Sequence, residues 1–208
     1  MFGLTIPQFD DIAGVTAAEP QPIPAPYHRF IYSEGFRAVS QPGGKYKPSS
    51  GSQMLQMSSS SPSEIGLGPL RENPCFRFDF QGISLGCDLK DAPCDFDVTT
   101  LRWDGVEEAV VETSLFQIPS CADPSNCVLH HLSTFGSNFS NLTGIKITLA
   151  TSGAPKTWWA DDFKIDWTDD DCSVAACRSQ VPNTVVERRQ VRSLASQTKR
   201  LLRWAVRG

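Results

Sequence analysis

Two acidic pairs carry the most pointed chemistry in the chain. One is Asp161-Asp162, set in the run Trp158-Trp159-Ala160-Asp161-Asp162-Phe163-Lys164-Ile165-Asp166-Trp167; the other is Asp10-Asp11, inside Phe9-Asp10-Asp11-Ile12. Side chains alternate across a strand, so the first run reads as a strand whose apolar face carries Trp159, Phe163, Ile165 and Trp167, with Asp161 among them. A carboxylate on an apolar face needs a partner. Strands from opposite ends of a chain are often neighbours in a closed sandwich. Asp10, Asp11, Asp161 and Asp162 would then offer a hard cation several of the six to eight oxygens it takes, with backbone carbonyls completing the shell. The expectation is a structural Ca2+ on these four residues, Asp161 first among them. Backbone N–H groups or an Arg are the competing way to satisfy a buried Asp.

Other spacings point to catalysis less firmly. Gly82-Ile83-Ser84-Leu85-Gly86 has the G-x-S-x-G spacing of a serine hydrolase, with His130-His131 downstream. The hydrolase elbow needs a helix after its serine, and Pro93 and Cys94 leave no room for one. The reading is instead a turn around an exposed Ser84. The 23 Asp and Glu residues could supply a glycosidase pair, but spacing singles none out. Asp169-Asp170-Asp171 reads as a solvated turn, and His130 and His131 as one inward and one outward strand residue. No catalytic residue is assigned, and the chain is expected not to be an enzyme. Saccharides stack their C–H faces on exposed aromatic rings. The ligand-binding candidates are therefore Trp158, which alternation turns away from the face holding Trp159, and Trp103, at a strand end beside Asp104-Gly105.

Charge and cysteine usage bound the surroundings. Residues 1–177 carry 11 Lys/Arg against 22 Asp/Glu, whereas residues 178–208 carry 8 against 1. An acidic body has no footprint for phosphates, which excludes nucleic acid as its partner. No run of 18 apolar residues crosses a membrane. The seven cysteines fall into close pairs, Cys87 with Cys94, Cys121 with Cys127 and Cys172 with Cys177, leaving Cys75 over. None of the spacings is a zinc knuckle, so disulfides are expected. The sequons Asn138-Phe139-Ser140 and Asn141-Leu142-Thr143 point to the secretory route as well. Their closeness leaves room for one glycan at most. Met1-Phe2-Gly3-Leu4-Thr5-Ile6-Pro7 lacks the basic and apolar regions of a signal peptide. The expected context is thus the C-terminal domain of a longer secreted precursor.

The elements that must position these residues read as short alternating runs separated by Gly, Pro, Ser and Asn, the pattern of an all-β sandwich. Predicted strands cover 27–33, 36–40, 53–58, 75–80, 96–103, 109–116, 127–134, 145–150 and 158–167. Residues 41–74 read as long loops around a single strand. Residues 1–177 form the expected domain. Residues 178–208 form a basic tail, disordered or helical, in which Val191, Leu194, Leu201, Leu202 and Ala205 fall at near-helical spacing.

The ordered set FDDI (9–12), PYHRFIYSEGF (26–36), PSSGSQML (48–55), CFRFDFQGISLGC (75–87), CDFDVTTLRW (94–103), NLTGIKITL (141–149) and WWADDFKIDW (158–167) resembles a C-terminal domain of fungal secreted and cell-surface proteins that has no established activity. Its broader relatives are the galactose-binding-like jelly-roll modules. That resemblance implies a calcium between first and last strands, at Asp10, Asp11, Asp161 and Asp162. The combined expectation is a disulfide-stapled jelly-roll β-sandwich, extracellular or on the cell wall, binding a polysaccharide or glycan or adhering to other surface proteins. A carbohydrate-active hydrolase and a structural domain acting through protein contacts are the alternatives.

Overall fold

The computed structural model describes residues 9–181 except 17, 42–45, 59–62, 122, 124, 125, 135 and 151–156. Among the described residues the elements are β1 (Gln21–Pro22), β2 (Ile31–Tyr32), β3 (Arg37–Val39), β4 (Tyr46–Lys47), β5 (Met54–Ser58), β6 (Ser63–Gly66), β7 (Phe78–Cys87), β8 (Cys94–Trp103), β9 (Glu108–Ile118), β10 (Cys127–Val128), β11 (His130–Ser133), β12 (Gly144–Leu149), β13 (Thr157–Trp167) and helix α1 (Cys172–Gln180). Two antiparallel sheets, ordered β1-β3-β5-β13-β7-β11 and β2-β6-β12-β8-β9, face each other, and β10 and β4 make a short parallel pair. Phe78, Phe80, Leu85 and Trp158 of the first sheet share one apolar layer with Ile65, Phe96, Val98, Ile145 and Ile147 of the second. The fold is a jelly-roll β-sandwich.

Alternation explains the second sheet simply: Phe96, Val98 and Thr100 of β8 are buried while Asp95, Asp97 and Thr99 are half-exposed. The first sheet is covered on both sides. Its outer face carries a second apolar cluster of Val39, Tyr46, Met54, Cys127 and Trp159, so β7 is buried on both faces from Gly82 to Cys87. A Cβ at Gly86 would stand 2.4 Å from the Tyr46 ring. Only glycine lets that ring approach, and its hydroxyl donates to the Cys87 carbonyl (2.9 Å).

Several sequence expectations change here. In β13 a bulge between Asp161 and Lys164, with Asp162 at φ 50°, interrupts the alternation. Trp158, Ala160, Phe163 and Ile165 all reach the inter-sheet core, while Trp159 joins the outer cluster. Trp158 is 1% exposed, wedged edge-on against Phe36 and Phe96. It is not a ligand-binding surface. The 41–74 region holds β4 and β6 as well as β5. Residues 27–30 form a tight turn rather than a strand start: Tyr27 and Phe30 exchange backbone hydrogen bonds, with His28 and Arg29 at φ 47° and 73°. Phe9–Ile12 is a turn, with Phe9 buried and stacked on Tyr27 (5.6 Å).

Three disulfides join described residues: Cys87–Cys94, Cys121–Cys127 and Cys75–Cys177. Cys172 does not bond Cys177 and is an exposed thiol. The helix explains the change, since five residues along α1 turn a side chain about 140° away. Cys177 therefore faces Cys75 while Cys172 faces solvent. Buried Arg178 secures the helix by donating to the carbonyls of Cys75 and Asp169 and lies 5.0 Å over the Trp167 ring. The basic tail from residue 182 onward lies outside the described residues, as does its expected helical stretch.

Candidate functional site

The β8–β9 hairpin builds the site. Trp103 closes β8, and the connection to β9 is a four-residue turn in which Asp104 receives the N–H groups of Val106 (2.8 Å) and Glu107 (2.9 Å) on its carboxylate. Those two N–H groups hold the Asp104 carboxyl below the usual carboxylate range. Gly105, at φ 109°, makes the reversal possible and leaves Val106 83% exposed at the tip. Beneath the tip lies an open depression of about 750 Å³, lined by Glu72, Pro74, Arg77, Trp103, Asp104, Gly105 and Val106. Its size falls in the range of ligand clefts.

Two arginines fix the walls. Arg71, from the 3-10 turn Gly68–Glu72, lies 5.1 Å from the Trp103 ring centroid and is tied to Glu108 of β9 (2.7 Å). Glu108 also accepts the Thr143 hydroxyl (2.9 Å), so one face of the indole is backed by a chain running into β12. Arg77 donates to the carbonyls of Arg71, Asn73 and Phe76. Burial, and then the charge of Arg102, lower its pKa from the normal arginine value; a guanidinium stays charged regardless. The result is a half-exposed aromatic ring beside two guanidinium groups and two carboxylates. That combination can stack an apolar face and hydrogen-bond hydroxyls around it. Trp103 was legible as a strand-end aromatic. Arg71, Glu72 and Arg77 were not, because sequence distance hides their convergence on it.

The four aspartates do not share one ligand shell. Asp10 Oδ1 accepts the N–H groups of Ser52 (2.7 Å) and Gln53 (2.9 Å), while Asp162 Oδ1 and Asp161 Oδ2 take the hydroxyl and the N–H of Ser50 (2.7 and 3.1 Å). Three of the four therefore grip one loop, residues 50–53, from two sides. Asp11 turns elsewhere, to the Tyr27 hydroxyl and His28 Nε2. Among the described residues no three His, Cys, Asp or Glu side chains converge on a metal position. The fit to a cation is partial: Asp161 Oδ1 is buried without a partner among the described residues, whereas Asp11 is spent.

Ser84 lies mid-strand in β7, 2% exposed rather than on a turn. Its hydroxyl donates to Asp162 Oδ2 (3.1 Å) and meets His131 Nδ1 at 3.3 Å. The serine stands between acid and imidazole, whereas a nucleophile needs the imidazole between itself and the acid. The elbow is absent. His131 is exposed over Gly82 and His130 half-buried.

Comparison with curated proteins finds no match. Solved structures with partial likeness include the CBM22-1 xylan-binding domain of Paenibacillus barcinonensis Xyn10C, at 14% identity and TM-score 0.40, covering 68% of this chain and 86% of that one. The C-terminal family 22 carbohydrate binding module of Clostridium thermocellum Xyn10B matches at 10% and 0.40, covering 72% and 92%. An arabinose-bound MgGH51 α-L-arabinofuranosidase matches at 13% and 0.46, covering 79% of this chain and 26% of its own. The model of a domain family of unknown function, DUF7371, matches residues 2–178, and the chain belongs to that family.

Proposed function

We propose that the chain is a non-catalytic saccharide-binding module whose site is the depression under the β8–β9 tip. The observation that carries this reading is the half-exposed Trp103 ring, backed by Arg71 and rimmed by Arg77, Glu72 and Asp104. An indole supplies the flat apolar platform that a sugar ring covers with its C–H face. The charged rim supplies planar donors and acceptors for hydroxyls. Both carboxylates in the depression raise the hydrolase alternative, since a glycosidase uses two. Its acid must hold a proton near neutral pH. The backbone N–H groups drive Asp104 the other way, so Asp104 is not that acid.

Three disulfides fit an oxidising compartment, and the reading places the chain outside the cell. No described helix is long and apolar enough to cross a membrane. Glycan-array screening of the purified chain, followed by calorimetry on the best polysaccharide, tests the proposal. Trp103→Ala should weaken binding about tenfold or more, the scale of a lost aromatic anchor, with an unchanged melting midpoint. Undiminished binding by that variant would move the site elsewhere. Release of reducing sugar by the wild type would replace binding with hydrolysis.

A further inference from the structure

The two adjacent sequons lie in one connection, between β11 and β12, and the structure treats their asparagines differently. The segment makes a 3-10 turn at Ser137–Phe139 and enters β12 at Gly144. Phe139 and Leu142 point into the core, and Asn138 and Asn141 are both exposed. Asn138 already spends its side-chain nitrogen, the atom a glycan would occupy, on Glu112 of β9. Asn141 is the reverse case. Its backbone is fixed on both sides, the N–H by Asp79 Oδ1 (2.9 Å) and Thr168 Oγ1 (3.2 Å) and the carbonyl by Arg102 Nε (3.1 Å). Its side chain has no hydrogen-bond partner among the described residues. Asn141 sits at φ 57°, a left-handed position that Asn tolerates better than most residues.

We infer that Asn141, and not Asn138, carries an N-linked oligosaccharide in the native protein. Asn141 Nδ2 attacks the anomeric carbon of an oligosaccharide held on a lipid diphosphate. The N–C bond forms, the C–O bond to the diphosphate breaks, the lipid diphosphate leaves, and the amide gives one proton to the transferase's base. Burial of Thr143, whose hydroxyl is held by Glu108, does not oppose the transfer. The central strand β13 lies between β5 and β7, so the sandwich cannot close until residue 167 has emerged, and the sequon is still extended when the transferase meets it. Once the fold closes, a glycan on Asn141 meets no side-chain hydrogen bond, whereas one on Asn138 takes one of the two hydrogens of the nitrogen that meets Glu112 and crowds that contact. Three residues of spacing leave no room for both.

The inference is independent of the saccharide site, because it concerns a sugar attached to the chain rather than one bound by Trp103. The test is to direct the full chain through a eukaryotic secretory route, release N-glycans with an amidase in 18O-water, and map the labelled aspartate by mass spectrometry. The expected result is label at position 141 alone, with Asn138→Gln secreted and still carrying one glycan. Label at 138, at both positions or at neither overturns the inference. The wild-type map decides the matter even if the variant fails to fold.

Discussion

Asp161 has no exposed surface, and its two oxygens are treated unequally: Oδ2 receives Ser50, while Oδ1 receives nothing among the described residues. Burial pushes its pKa from 3.8 up to about 6, against the pull of the backbone N–H groups of Asp162 and Ser50. A carboxyl raised on folding binds more protons in the native chain than in the unfolded one between those two values. Stability therefore falls as pH rises through roughly 4 to 6, and above that window the cost is on the order of 3 kcal/mol. Asp161→Asn should remove the slope and raise the urea midpoint at pH 7. A hard cation on Oδ1 predicts the opposite: stability rising with pH, a chelator lowering the midpoint, and the Asn variant weaker than wild type. Urea unfolding at pH 4, 5, 6 and 7, with and without chelator, separates the two, and a flat wild-type midpoint in every condition contradicts both.

Strand β13 shows which part of such an element its sequence displays. Its existence and its ends at 158–167 were readable, because the run is long and rich in residues that favour strands. Its faces were not. The bulge at Asp161–Lys164 adds a residue to one side of the ladder, and one added residue exchanges the faces on either side of it. Trp158 and Trp159 are both large and both buried, so no polar residue marked which of them met the opposite sheet. Strands β4 and β6 stayed hidden for another reason: two and four residues are too few to show a period, and Ser and Gly around them read as loop. In the site, the aromatic member was visible and its cationic walls were not, since convergence of residues 71, 77 and 103 depends on tertiary pairing. The corrected face makes a prediction. Trp158→Ala opens a cavity between the sheets and should cost about 3–5 kcal/mol in denaturant unfolding. A variant with wild-type stability would show that the ring is not between the sheets.

At the scale of the molecule, the three disulfides differ in what they close. Cys87–Cys94 and Cys121–Cys127 span 7 and 6 residues, whereas Cys75–Cys177 spans 102. On the chain-entropy account the short loops stabilise by about 2 kcal/mol each and the long one by about 4.7. The long bond also carries native contacts with it. It holds α1 against the entry to β7, where Arg178 lies over Trp167 and Arg29 lies 5.4 Å over Phe76 while donating to the Val181 carbonyl. Phe30 stacks on Trp167 in the same layer, so the bond closes the end of the sandwich that the 27–30 turn also seals. Replacing Cys75 and Cys177 together by Ser should therefore lower unfolding free energy by about twice as much as replacing Cys121 and Cys127. Both must be changed at once, because a lone Cys177 would be left five positions from the exposed Cys172 thiol. Denaturant unfolding of the two double variants gives the ratio, and thiol labelling of native wild type should mark Cys172 alone. Equal losses from the two pairs would mean that the closure of α1 on the first sheet contributes nothing beyond a local staple.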